Sequence, residues 1–179
     1  KPFLSWHLSG GTTELLRVHP SAGGALDVQI IGGTRDISAG QLIDRAGVAL
    51  GLPFPAGPYL EKLALDSCSA AFSRVRPDGL YFSLSGVENQ FRAAIERGDA
   101  PADVARFVLN TVVQTVSRVT RAAEDLSGLP VLFSGGVSAS VYLQKALPQS
   151  DRLCYAQNGL GGDNALGAAL LAAAGGGTQ

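Results

Sequence analysis

The chain is predicted to fold as an α/β lobe, a mixed five-stranded sheet with helices, and three observations predict it. Residues 3–31 hold three short alternating segments separated by Gly-Gly pairs, the pattern of an antiparallel meander. Residues 101–126 carry an apolar stripe of helical period. The last third alternates short apolar runs with helical ones. Hydrophobic residues make up 46% of the 179 and charged residues 16%, enough to bury a sizeable core in one domain or one lobe of a bilobed protein.

Residues 3–9 read as the first strand, with Leu4, Trp6 and Leu8 alternating against Ser5, His7 and Ser9. Gly10-Gly11 turns the chain into a second strand at 13–18, and Gly23-Gly24 turns it into a third at 26–31. After Gly32-Gly33 the period changes. Ile43, Ala46, Gly47 and Leu50 share one face of a helix that stops near Gly51. A proline-rich loop follows at 53–58, then a short helix at 59–65 and an irregular, exposed connection at 66–79. Residues 85–97 form a helix, with Val87, Phe91, Ala94 and Ile95 inward and Gly98 at its stop.

In the long helix at 101–126, Val104, Phe107, Val108, Thr111, Val112, Val116, Val119 and Ala123 form the apolar stripe. Arg106, Asn110, Gln114, Arg121 and Asp125 lie opposite. Pro101 suits its first turn and Gly128 its end. Strands at 131–133 and 153–155 alternate with helices at 138–147 and 164–174, before a flexible tail at 175–179. Three antiparallel strands followed by helix, strand, helix, strand, helix is the order of a ribonuclease-H-like lobe. Two such lobes around a cleft make the actin-like ATPase architecture, here an analogy.

The net charge of −1 supplies no general field for nucleic acid or an anionic membrane, so RNA contact would need a local basic patch. Cys68 and Cys154 sit far apart in no metal-ligand spacing, which fits a reducing cytoplasm better than a disulfide framework. The apolar run 165–174 is too short to span a bilayer, so no membrane partner is expected. The chain opens at Lys1, contains no Met and runs straight into a strand pattern, as expected of a fragment or processed product.

Four turns could approach a ligand. Ser9-Gly10-Gly11-Thr12-Thr13 offers backbone N–H groups and hydroxyls to an anion, or is a plain hairpin. Ser134-Gly135-Gly136-Val137-Ser138 follows a buried strand and opens a helix. It either passes a ribose or base closely, or is a tight turn with Ser138 as N-cap. Asp163, within Asn158-Gly159-Leu160-Gly161-Gly162-Asp163-Asn164, could face a cation or act as an N-cap. Asp44 could accept from ribose hydroxyls beside Gly57, or be an exposed helical carboxylate near an ordinary loop. Together the turns suggest one cleft at the strand ends.

These residues resemble a known family. His7-Leu8-Ser9-Gly10-Gly11-Thr12-Thr13-Glu14-Leu15 is similar to the V-S-G-G-H-T-x-L block of the TsaD, or O-sialoglycoprotein endopeptidase (glycoprotease, peptidase M22, Gcp-like), family. Asp44-Arg45-Ala46 and Leu50-Gly51-Leu52-Pro53-Phe54-Pro55-Ala56-Gly57-Pro58 resemble its F-D-K-x-A-x-x-L-G-L-x-Y-P-G-G-P block. Phe82-Ser83-Leu84-Ser85-Gly86 resembles F-S-F-S-G. Ser134-Gly135-Gly136-Val137-Ser138-Ala139 resembles G-G-V-x-A-N, and Gly162-Asp163-Asn164-Ala165 resembles C-T-D-N-A.

The resemblance implies a C-terminal lobe over 1–179, with a helical insertion at about 34–100 and the N-terminal lobe outside the sequence. It implies ATP or an acyl-adenylate as ligand and transfer of a threonylcarbamoyl group onto an adenosine beside the tRNA anticodon. Ser9, Gly10, Gly11 and Thr12 would meet the phosphate end, and Asp44 and Gly57 the ribose and adenine side. Gly135, Gly136 and Ser140 complete the nucleotide contacts, and Asp163 would be one ligand of a catalytic iron or zinc.

The family's His-x-x-x-His pair is absent, His7 and His19 being no such pair. Thr12 stands where the family has His, and Ser140 where it has Asn. These departures fit a bacterial paralogue. A non-catalytic scaffold, pairing as a homo- or heterodimer with a related member, is the alternative. A metallopeptidase is a third reading, although no H-E-x-x-H motif is present.

Overall fold

Alternation in the first residues places a strand, β1 (Phe3–Leu8), at the heart of the sheet, with Leu4, Trp6 and Leu8 fully buried. The computed structural model describes residues 1–21, 25–147 and 150–156. β1 pairs antiparallel with β2 (Thr13–Pro20), which pairs antiparallel with β3 (Leu26–Thr34). β4 (Tyr81–Phe82) adds in parallel to the end of β3. On the other side β5 (Val131–Ser134) lies parallel to β1, and β6 (Leu153–Tyr155) parallel to β5. The order β4-β3-β2-β1-β5-β6 is that of a ribonuclease-H-like lobe, the sheet type of actin-like ATPases.

All five expected strands are present, and β4 makes a sixth that the sequence reading left out. β3 also runs through Gly32-Gly33, where a break in pattern was expected. A Cβ on Gly32 would lie 2.6 Å from Leu80 Cβ, and one on Gly33 would lie 2.3 Å from the Thr13 oxygen. The pair lets neighbouring backbone close in on the strand from two sides.

The helices pack on this sheet. They are α1 (Ala39–Ala49), α2 (Gly57–Ala64), α3 (Ser85–Glu96), α4 (Pro101–Ser127) and α5 (Val141–Ala146). The 27 residues of α4 span about 40 Å and bury the expected valine stripe against the sheet. Gly128 ends it at φ 66°, a left-handed cap. Trp6 Nε1 donates to Thr120 Oγ1 at 2.9 Å, so the polar end of the largest buried side chain is satisfied inside the core.

The polar side of α4 is not all solvent-facing. Arg106 donates to the Ser67 and Ser69 carbonyls at 2.7 and 3.0 Å, and Asn110 to the Ser69 and Ala71 carbonyls at 3.2 and 3.1 Å. The Ser73 N–H reaches Thr111 Oγ1 at 2.8 Å. The 66–79 connection is irregular and largely exposed, as the sequence suggested, and these bonds tie it down along α4.

Between β5 and α5 the chain makes a single 3-10 turn (Gly136–Ala139). Ser140, not Ser138, therefore caps α5, accepting from the Leu143 N–H at 3.0 Å, while Ser138 is buried and donates to the Gly135 carbonyl. The expected helix at 164–174 and tail at 175–179 lie outside the described residues. None of the described helices is long and apolar enough to cross a membrane. Cys68 and Cys154 are free and exposed.

Candidate functional site

The parallel pairing of β1 with β5 brings two of the glycine turns side by side. His7 lies opposite Ser134, so both strands end at the same edge and their turns leave it together. Gly135 adopts φ 91° and ψ 158°, and a Cβ there would lie 2.2 Å from the Leu8 oxygen. Only glycine fits this backbone at that distance. Ser134 Oγ donates to the Trp6 carbonyl at 3.0 Å and lies 3.3 Å from His7 Nδ1, fastening the second turn to β1.

The first turn is fixed by its own serine. Ser9 Oγ accepts from the Gly11 and Thr12 N–H groups at 3.2 and 3.0 Å, and the Ser9 N–H donates to the Thr12 carbonyl at 2.9 Å. Gly10, Gly11 and Thr12 are exposed. A Cβ on Gly10 or Gly136 would meet nothing within 4 Å, so both glycines border open space. That floor of small residues leaves a ligand room to approach the backbone closely.

The start of α1 completes this corner. Ser38 caps the helix and donates to the Gly10 carbonyl at 2.8 Å, and the Gly40 N–H donates to the Ser9 carbonyl at 3.2 Å. A Cβ on Gly40 would lie 2.6 Å from Gly10 Cα, so the helix end rests directly on the turn. The sequence reading missed Ser38 and Gly40. The S-x-x-Q capping box formed by Ser38 and Gln41 was the signal that could have found this helix start.

Asp44 and Gly57 form a second group one turn further along α1, about 6 Å from Gly40. Asp44 Oδ1 accepts from the buried Ala56 N–H at 2.7 Å, which pins the proline-rich loop and sets Gly57 at the first position of α2. Gly47 permits the contact, since its Cβ would lie 2.3 Å from Ala56 Cβ. Ser140 comes near through α5, whose Tyr142 N–H reaches Glu61 on α2 at 3.5 Å. Beside Gly57 and Ser140, a cavity of about 620 Å³ opens between α2, α4 and α5, lined by Pro58, Glu61, Asn110, Val141 and Tyr142 among others. Burial pushes the Tyr142 hydroxyl up from its ordinary range, against the field of Arg106, and it donates to Asn110 Oδ1 at 2.6 Å.

Asp36 is a further buttress that the sequence reading passed over. It follows β3 and accepts from the Thr34 hydroxyl, the Ile37 and Leu84 N–H groups, and the Ser85 N–H and hydroxyl, at 2.7 to 3.1 Å. Partial burial pushes its carboxyl up, but the bonds from Leu84, Ser85 and Thr34 outweigh this and hold it at about 2, below the ordinary 3.8. Asp36 thereby serves as the N-terminal cap that α3 lacks from its own Leu84.

Asp163 lies outside the described residues. Among the described residues no three or more His, Cys, Asp or Glu side chains are grouped to hold a metal, so these residues do not supply the ligand set for one.

The geometry can be set beside known proteins. A family model described as tRNA N6-adenosine threonylcarbamoyltransferase, TsaD, matches residues 1–169. The tRNA N6-adenosine threonylcarbamoyltransferase of Halalkalibacterium halodurans is 32% identical over 159 residues, covering 83% of this chain and 45% of that protein. The same-named enzyme of Latilactobacillus sakei is 35% identical over 156 residues, covering 82% and 44%. That of Dichelobacter nodosus is 36% identical over 179 residues, covering 92% and 51%. The chain thus spans about half the length of the curated relatives it matches.

Among solved structures, full-length HypF in its phosphate- and nucleotide-bound form is similar with a TM-score of 0.67 at 13% identity, over 82% of this chain and 34% of that one. Component A of the Acidaminococcus fermentans (R)-2-hydroxyglutaryl-CoA dehydratase gives 0.53 at 14%, over 86% and 55%. At those identities the likeness is one of fold.

Proposed function

The chain belongs to the TsaD family, and from that premise we propose that it is the nucleotide-binding lobe of a tRNA N6-adenosine threonylcarbamoyltransferase. The observation that carries this reading is the junction of three backbone elements at one sheet edge. The Ser9–Gly11 turn, the Ser134–Gly136 turn and the N-terminus of α1 meet there at distances only glycine permits. In this reading the phosphate of ATP or of an acyl-adenylate lies over Gly10, Gly11 and Gly136. Its ribose and adenine extend toward Asp44, Gly57 and Ser140 and the cavity beside them.

The tRNA adenosine N6 attacks the carbamoyl carbon of the adenylate. A C–N bond forms, the bond from that carbon to the phosphate oxygen breaks, AMP leaves, and N6 releases a proton. The chain's own part is to hold the leaving phosphate where backbone dipoles favour its charge. Asp163 is the candidate ligand in this sequence for the family's iron or zinc, which would act as a Lewis acid on the carbamoyl oxygen.

The test incubates the full-length protein that carries this lobe with threonylcarbamoyl-adenylate and an unmodified tRNA transcript, and analyses digested nucleosides by mass spectrometry. Threonylcarbamoyladenosine formed by the wild type and lost in Gly136→Val supports the reading. Equal product from both proteins removes its basis.

A further inference from the structure

We infer that Arg74 and Arg76, with Arg35 beside them, form a docking surface for the phosphodiester backbone of the RNA substrate; this rests on the transferase reading above. The 66–79 connection would be an odd place for two cations if it were loose, but it is anchored. The Ser73 N–H is held by Thr111, the Val75 carbonyl accepts from Arg118 Nη1 at 2.7 Å, and Asp78 and Tyr81 exchange backbone bonds at 2.8 and 3.1 Å. The segment is a fixed rail, and Arg74 and Arg76 are exposed on it. Neither bonds to any of the described residues, whereas Arg45, Arg92 and Arg97 each pair with a carboxylate.

A cavity of about 230 Å³ gathers them. Arg35, Arg74 and Arg76 line it with Asp78, Tyr81 and Ser83, so three guanidinium groups face one carboxylate in a chain of net charge −1. That carboxylate is committed, since Asp78 Oδ2 accepts from Arg35 Nη2 at 2.9 Å. Arg35 also lies over the Tyr81 ring, 5.3 Å from its centroid. Guanidinium forks match phosphate oxygens, and a ring beside them offers a face to an unpaired base. An acidic peptide would use the cations but not the ring.

The position suits a substrate strand. Glu14 pairs with both His7 and Gly33, so β3 ends at the same sheet edge as the glycine turns, and Arg35 follows directly. Two strand spacings put it about 10 Å across that edge from β1. An RNA presenting a base to an adenylate held over the glycine turns would run its backbone along this rim.

Fluorescence anisotropy of the full chain with an unmodified tRNA transcript, over a potassium chloride series, tests the proposal. Arg74→Gln/Arg76→Gln is expected to raise the tRNA Kd about tenfold at 0.15 M salt and to flatten the slope of log K against log salt by about 1.5. ATP affinity should not move, and Arg97→Gln should leave both ligands within about twofold of wild type. A double variant that binds tRNA like the wild type, with an unchanged slope, overturns the proposal. So does poly-glutamate that competes as well as tRNA at equal charge. Wild type that binds ATP but not tRNA sinks this surface alone; wild type that binds neither sinks the nucleotide reading as well.

Discussion

Replacing Gly135 by alanine isolates the joint on which the candidate site depends. At φ 91° and ψ 158° the residue occupies a region essentially restricted to glycine, and the strain of placing a side chain there is about 1–3 kcal/mol. The new Cβ would also lie 2.2 Å from the Leu8 oxygen and 2.6 Å from its carbon. Relieving that overlap means pushing β5 away from the central strand, an overpacking cost of about another 1–3 kcal/mol. A total of about 4 kcal/mol is a large share of the ~5–15 kcal/mol by which a domain is stable. Urea denaturation followed by the fluorescence of the single tryptophan, Trp6, reads it directly, because that residue is fully buried on the central strand from which β5 would be pushed. Gly136→Ala is the companion. Its Cβ meets nothing within 4 Å and its φ is ordinary, so the change should stay within about 0.5 kcal/mol of wild type. If Gly135→Ala costs less than about 1 kcal/mol, the close approach of the two turns is not what fixes this corner.

Other substitutions separate the remaining roles. Thr120→Val leaves the buried Trp6 N–H unpaired and should cost about 1–3 kcal/mol in the same denaturation assay, with a shift of the tryptophan emission. Asp44→Ala strands the buried Ala56 N–H and should cost about 1–2 kcal/mol as well as nucleotide affinity. Asp44→Asn keeps an acceptor, so its stability should stay near wild type while affinity falls. Asp36 titrates below its ordinary value, so its contribution is complete above about pH 4 and is lost as pH falls toward 2. The full shift corresponds to about 2.4 kcal/mol, which solvent screening of this exposed carboxylate reduces to about 1 kcal/mol. Asp36→Asn should therefore flatten the acid limb of a stability–pH curve between pH 4 and 2.

The sheet was legible because its strands obey a simple period. Leu4, Trp6 and Leu8 alternate, and the valines of α4 recur along one helical face, so burial alone specifies both elements. What escaped was written in long-range backbone geometry. β4 is two residues long and exists because Gly32 lets Leu80 approach β3, which no local pattern announces. Arg106 and Asn110 sit where a helix normally meets solvent, and only the path of the 66–79 segment reveals their carbonyl partners. The glycine turns were found as motifs, but Ser38, Gly40 and Asp36 were not. Their partners, Gly10, Ser9 and Leu84, lie 28 or more residues away in sequence.

The most direct test of the central claim is calorimetric titration of ATP and AMP into the wild-type chain and into Gly10→Val and Gly136→Val. Both positions face open space, so the variants should fold with wild-type stability. The account predicts saturable binding by the wild type and loss of it in both variants, because valine fills the floor over which the phosphate lies. Wild-type affinity retained in both would contradict it and move the ligand away from the glycine turns.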